Sequence, residues 1–177
     1  MSKSINTIFL LGYMGAGKTV IGRSLSKKLG FKFYDLDNYI EQIEGKKVSD
    51  IFNEKNEVYF RKIENKYLLE LSLKNEKKII STGGGTPCFK NNLEIIQTSS
   101  NSISVYLKAN IETLVKRLLH SIEKRPIISH LYKEDELKEF ITKHLFERSF
   151  YYEKSDVKIK TDDIELNDIV KLIGELI

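Results

Sequence analysis

The stretch Gly12-Tyr13-Met14-Gly15-Ala16-Gly17-Lys18-Thr19 follows the apolar run Ile8-Phe9-Leu10-Leu11 and constrains this chain more than any other feature. Its spacing, G-x-x-x-x-G-K-T, is that of a P-loop: a buried strand, a glycine turn and the first turn of a helix. The glycines let backbone N–H groups turn inward to phosphate oxygens with no Cβ in the way. Lys18 brings a point charge to the β- and γ-phosphates, and the Thr19 hydroxyl is placed to ligate Mg²⁺. A helix opening near Lys18 aims its positive end at the same phosphates. Gly15, Ala16, Gly17, Lys18, Thr19 and Val20 are therefore the expected contacts to a nucleoside triphosphate.

The rest of the composition narrows the class. With 177 residues the chain is expected to form one domain, 1–177, burying about 70% of its unfolded surface. The formal charge is +4, but basic and acidic residues alternate over 54–78 and 133–154. That pattern describes solvated helix faces rather than a stripe for nucleic acid. A single cysteine, Cys88, excludes an internal disulfide and a cysteine zinc site. His120, His130 and His144 lie far apart and read as surface or packing residues. No basic-then-apolar leader and no apolar span of about 18 residues occurs, so the expectation is a cytoplasmic protein with no membrane partner.

Strand and helix signals alternate. Strands are expected at Ile5–Leu11, Phe31–Tyr34, Lys78–Thr82, Ser102–Leu107 and Val157–Lys160. Helices are expected at Thr19–Leu29, closed by Gly30, then at about 38–44, with a break at Gly45. Ser49 is the expected cap of a turn over Asp50–Phe52, and a longer helix covers about 54–73. Further helices fall at Asn92–Thr98, Ile111–His120, about 134–152 and Leu166–Leu176, while 121–133 has no clear period. This order predicts an α/β fold with a parallel sheet covered on both faces. Ligands of such sheets sit beyond the carboxyl ends of the strands. The P-loop, Asp35/Asp37 and Gly83-Gly84-Gly85 each follow a strand directly. No N-K-x-D guanine motif is present, since Asn65-Lys66 is followed by Tyr67-Leu68. The length and the missing motif favour a small-molecule kinase.

The P-loop together with Asp35-Leu36-Asp37, Phe60-Arg61-Lys62-Ile63-Glu64, Ser81-Thr82-Gly83-Gly84-Gly85, Arg125-Pro126-Ile127-Ile128 and Arg148-Ser149-Phe150-Tyr151-Tyr152 resembles the shikimate kinases in order and approximate spacing. The resemblance covers nearly the whole chain. It implies a three-layer P-loop NTPase fold of the nucleoside-monophosphate-kinase type: a five-stranded parallel sheet in the order 2-3-1-4-5, a substrate-binding helical region at about 38–75 and a lid at about 121–133. It also implies Mg²⁺-dependent transfer of the ATP γ-phosphate to the 3-hydroxyl of shikimate, by a monomer.

By the same resemblance Arg61 and Arg148 hold the acceptor's carboxylate, a task suited to planar guanidinium donors. Asp37 accepts hydrogen bonds from the ring hydroxyls, and Asp35 holds Mg²⁺ through water beside Thr19. Gly83, Gly84 and Gly85 bring backbone close to the substrate. Arg125 is the lid arginine that reaches the phosphates, and Arg117 the residue that stacks on adenine. Several positions carry a second reading: Arg61 as an ion-pair partner of Glu57 or Glu64, Asp35 as a helix cap, Arg117 as solvated surface, and Phe52 and Phe60 as pocket wall or simple core. Two segments depart from the family pattern. Ile127-Ile128 replaces a leucine pair at equal volume, and Thr161-Asp162-Asp163-Ile164-Glu165 lacks the proline set against adenine. A kinase for gluconate or a nucleoside monophosphate, and a non-catalytic nucleotide-binding module, are the alternatives.

Overall fold

Five short runs rich in branched residues pair into a fully parallel sheet: β1 (Thr7–Leu11), β2 (Lys32–Asp35), β3 (Lys78–Ser81), β4 (Ser102–Lys108) and β5 (Val157–Lys160). The computed structural model describes residues 4–120, 128, 131 and 133–177. The strand order is β2-β3-β1-β4-β5, as expected. Every residue of β1 and β3 is buried, as strands covered on both faces must be. The edge strands β2 and β5 expose lysines, which discourages pairing with another chain.

Among the described residues the helices are α1 (Lys18–Leu29), α2 (Leu36–Glu44), α3 (Val48–Leu73), α4 (Asn92–Thr98), α5 (Ile111–Leu119), α6 (Glu134–Tyr152) and α7 (Leu166–Gly174). Right-handed crossovers divide them between the faces. The connection from β1 to β2 runs one way across the sheet and puts α1 on one side. The connections out of β2, β3 and β4 run the other way and put α2 to α6 on the opposite side. The packing agrees, since α1 meets α7, α3 meets α2 and α4, and α5 meets α6. Among the described residues no helix is long and apolar enough to cross a membrane.

α2 begins at Leu36 and α7 ends at Gly174, each about two residues from the expected bound, and two further differences lie in α3. Ser49 is not a cap: α3 begins at Val48, whose N–H donates to Glu41 Oε1 at 2.9 Å. The cap thus comes from the preceding helix, with Lys47 Nζ on the other oxygen of Glu41 at 3.0 Å. The second difference is at Asn56, where φ is 75° and ψ 172° inside α3. The long helical segment restarts after it, rather than at Glu54. Asn56 Oδ1 accepts the N–H of Tyr59 at 3.1 Å, so it serves as an internal N-cap in backbone that glycine usually occupies.

Strand register puts the loops of the site in one row. Leu10 of β1 and Asp35 of β2 both align with Ser81 of β3. The P-loop, the Gly83–Gly85 turn and the Asp35–Asp37 segment therefore leave three adjacent strands at the same level.

Candidate active site

The P-loop has the expected backbone, with Gly12, Gly15 and Gly17 at φ of 143°, 83° and 95°. Gly12 is needed on two counts, because a Cβ there would also lie 2.7 Å from the Leu107 carbonyl oxygen. Ala16 is buried, Gly17 caps α1, and Val20 is exposed beside the loop. α1 has no acidic residue in its first turn, whereas every other described α-helix has at least one. Its positive end is left for an external anion. Lys18 Nζ donates to the carbonyls of Gly12 at 2.7 Å and Tyr13 at 3.0 Å, which folds it over the loop.

Asp35 ends β2 and caps α2. Its Oδ1 accepts the N–H of Asn38 at 3.4 Å, while its Oδ2 accepts the Thr19 hydroxyl at 2.9 Å. The cap and the contact with the P-loop threonine thus use the two oxygens of one carboxylate. Asp37, in the first turn of α2, is half-buried against the glycine turn. Its carboxyl is pushed up to about 7, chiefly by desolvation and then by Asp35 and Glu64, with Lys18 and Arg61 pulling the other way.

Arg61 does form the ion pairs its helix spacing suggests, but in a nearly closed setting. Its side chain is 14% exposed, with Nη1 2.9 Å from Glu64 Oε2 and Nη2 3.2 Å from Glu57 Oε1. Cζ also stands 3.9 Å from the ring centroid of Phe89 and 5.2 Å from that of Phe60. Glu64 is fully buried and accepts the Thr86 hydroxyl at 2.6 Å, so its charge has two partners. Thr86 opens the 3₁₀ turn Thr86–Cys88, and Asn92 Nδ2 donates to its carbonyl at 2.8 Å. Phe60 belongs to the core, and Phe52 packs on it with ring centroids 4.6 Å apart.

The glycine turn makes room for these side chains. A Cβ on Gly83 would lie 2.9 Å from Thr86 Oγ1 and 3.2 Å from Asp37 Oδ1; one on Gly85 would lie 2.9 Å from Arg61 Nη2. Gly85→Ala is expected to raise the KM for the acceptor about 10- to 100-fold by displacing the guanidinium. Because only the end of a flexible side chain has to move, Tm should change little. Steady-state kinetics and a melting curve on one preparation check both halves.

Arg148 lies on α6, which packs against the 3₁₀ turn. Its Cζ is 5.7 Å from the centroid of the Tyr13 ring. Arg148 and Arg61 both lower the proton affinity of the Cys88 thiol, although burial outweighs them and pushes it to about 11. Both guanidiniums therefore stand near the 3₁₀ turn. α6 is held there by the buried Tyr152, whose hydroxyl donates to the Gly84 carbonyl and whose ring lies 5.1 Å from that of Tyr106.

Arg117 spans the other side of the P-loop, donating to the carbonyls of Gly15 at 3.3 Å and Thr161 at 3.0 Å. It thus joins the phosphate loop to the segment after β5. Arg125 and most of the 121–133 segment lie outside the described residues. Glu64, Phe89, Thr86, Tyr13 and Tyr152 complete the site without having been marked as functional in the sequence. The Arg61–Glu64 spacing was the available signal, and it is equally common on solvated helices.

Comparison with known proteins identifies the family. The family model described as "Shikimate kinase" matches residues 14–177. The shikimate kinase of Flavobacterium johnsoniae is 45% identical over 170 residues, 96% of this chain and 98% of that protein. The crystal structure of shikimate kinase from Bacteroides thetaiotaomicron superposes with a TM-score of 0.89 at 37% identity, covering 96% of this chain and 97% of that one. Shikimate kinase from Acinetobacter baumannii in complex with shikimate gives 0.86 at 31% identity, covering 98% and 93%. With a family model that matches residues 14–177 and a relative 45% identical over 96% of its length, this chain belongs to the shikimate kinase family.

Proposed function

We propose that the protein transfers the γ-phosphate of ATP to the 3-hydroxyl of shikimate, giving shikimate 3-phosphate and ADP on the way to chorismate and the aromatic amino acids. The observation that carries this is the meeting of Arg61 and Asp37 at the Gly83–Gly85 turn, one strand away from the P-loop, with Arg148 on the helix that packs against the 3₁₀ turn that follows. Two guanidiniums suit a carboxylate, and a carboxylate suits a hydroxyl. Shikimate carries both groups on one ring.

In this reading Arg61 and Arg148 hold the acceptor's carboxylate and Asp37 orients the attacking hydroxyl. An oxygen–phosphorus bond forms as the bond to the leaving β-phosphate oxygen breaks, and the hydroxyl proton passes to Asp37. Such transition states are loose, so positioning contributes more than basicity. Lys18 balances the charge on the transferring group, and the amides of Gly15 to Val20 cradle the phosphates. Gly83, Gly84 and Gly85 bring backbone to the acceptor. Arg125 supplies further positive charge from the lid, and Arg117 lies along the adenine.

Thr19 Oγ1 and Asp35 Oδ2 are adjacent hard oxygens, the donor type that Mg²⁺ takes alongside waters and phosphate. Thr19, and Asp35 through water, would hold Mg²⁺ there, and it would offset the charge of the β- and γ-phosphates. The protein acts as a single kinase domain over 1–177, as a monomer in the cytoplasm, with no nucleic-acid partner.

ADP release measured with ATP, Mg²⁺ and a panel of shikimate, gluconate and nucleoside monophosphates tests the reaction. Shikimate-dependent release is expected; release driven only by gluconate or a monophosphate overturns it. Arg148→Ala is expected to raise the KM for shikimate roughly 30-fold or more, as loss of a paired charge contact does, while the affinity for ATP is retained. Equal losses for both ligands would remove Arg148 from the acceptor site.

A further inference from the structure

Tyr13 belongs to the phosphate loop, yet phosphate binding uses nothing of its side chain. It is nonetheless fully buried, among the largest side chains in the core. Its ring stands under Arg148, with 5.7 Å from Cζ to the centroid. Its hydroxyl lies 3.5 Å from His144 Nδ1, a long contact. His144 and Arg148 are four residues apart on α6 and so share one face of it. Burial, and after it Arg148, lower the proton affinity of His144. The backbone of Tyr13 turns the other way: its carbonyl accepts Lys18 Nζ at 3.0 Å. One residue therefore meets the lysine of the donor site through its main chain and the arginine of the acceptor site through its ring.

The packing around it leaves little slack. A Cβ on Gly84 would lie 3.3 Å from the Met14 nitrogen and 3.8 Å from the Tyr13 carbonyl carbon. Gly84 in turn accepts the Tyr152 hydroxyl from α6. Phosphate loop, glycine turn and α6 are in mutual contact, and close-packed interiors transmit small displacements rather than absorbing them.

We propose that Tyr13 is a positioning residue that couples the two substrates. Phosphate oxygens at the loop compete with the Tyr13 carbonyl for the N–H donors of Lys18, and the resulting adjustment of the Tyr13 peptide is passed by the ring to Arg148. Nucleotide then raises the affinity for shikimate, and by linkage shikimate raises the affinity for nucleotide by the same factor. The proposal rests on the assignment of Arg148 to the acceptor carboxylate made above.

Isothermal titration of the full-length protein tests it. Shikimate is titrated with and without saturating ADP and Mg²⁺, and ADP with and without shikimate, on the wild type, Tyr13→Leu, Tyr13→Phe and His144→Leu. The wild type is expected to show a coupling factor of about fivefold or more, equal in both directions. Tyr13→Leu, which removes ring and hydroxyl, should bring the factor to within about twofold of one. Tyr13→Phe, which removes only the hydroxyl contact, and His144→Leu, which removes it together with the ring contact to Phe140, should give intermediate factors; if Tyr13→Leu does not fold, these two decide the outcome. His144→Leu should leave the affinity for ADP alone unchanged.

The same factor in all four proteins, including a factor of one throughout, overturns the proposal. So do variants that weaken each ligand alone while the factor survives, since that is packing without coupling. A wild type that binds ADP but not shikimate overturns the functional reading itself, a result distinct from an unchanged factor in a protein that binds both.

Discussion

Replacing Lys18 by alanine is expected to lower kcat about 10²- to 10³-fold, the usual loss when one preorganised donor to a developing charge is removed. The side chain is already folded over the loop before any nucleotide arrives, held by the carbonyls of Gly12 and Tyr13. It therefore needs only to exchange carbonyl oxygens for phosphate oxygens when nucleotide binds. The stability cost should be small, because Lys18 is only half-buried and water can take up the two carbonyls. Lys18→Arg should not restore the rate: guanidinium is a wide planar fork, whereas the loop accommodates a compact ammonium. Single-turnover measurement of shikimate phosphorylation at saturating ATP reads the effect, and a kcat within about tenfold of the wild type would remove Lys18 from the chemistry.

Asp37→Asn should lose activity and gain stability together. An amide of the same shape still meets the hydroxyl but is a poor proton acceptor, so kcat should fall about 10²- to 10⁴-fold. The stability effect follows from the elevated proton affinity of the carboxyl, raised from 3.8 to about 7 in the folded state. Between those values the native protein holds a proton that the unfolded chain has released, so stability falls as pH climbs through that window. The amide has no proton to lose and escapes the penalty. Thermal melting at about pH 8 should place the variant above the wild type, by roughly 2–4 °C for each kcal/mol of relief in a chain of this size. Near pH 3.5, below both values, the difference should vanish. A variant less stable than the wild type at the higher pH would show that Asp37 is not held under strain. The wild type thus gives up stability for a site that works, as functional sites commonly do.

The strands and the donor loop were legible because their signals are local. β1 is an apolar run ended by glycine, α1 has helical spacing closed by Gly30 at φ 68°, and the glycine turn directly follows β3. Where the reading failed, the controlling group came from elsewhere. The start of α3 is set by Glu41 on α2, and the interruption at Asn56 occurs in a stretch with neither glycine nor proline. Arg61 could be named, but not the reason it is fixed. The burial of Glu64 depends on the Thr86–Cys88 turn packing across α3, a tertiary event with no periodicity to announce it. Tyr152 and Tyr13 were hidden for the same reason, since an aromatic residue reads as core whether or not its hydroxyl and ring join two loops.

The alignment of Leu10, Ser81 and Asp35 in one row works as a dimensional standard for the reaction. Distances between phosphate, hydroxyl and carboxylate groups inherit the spacing of neighbouring strands, about 4.8 Å, a length set by backbone hydrogen bonds. Side chains around the site can drift in identity while that measure holds. A single residue gained or lost within β2 or β3 would invert which face each side chain meets and carry Asp37 or the glycine turn out of line. Lengths in the loops on the opposite edge of the sheet are under no such constraint. The chain is therefore divided between an edge machined to tolerance and an edge free to vary, and the boundary between them is the sheet itself.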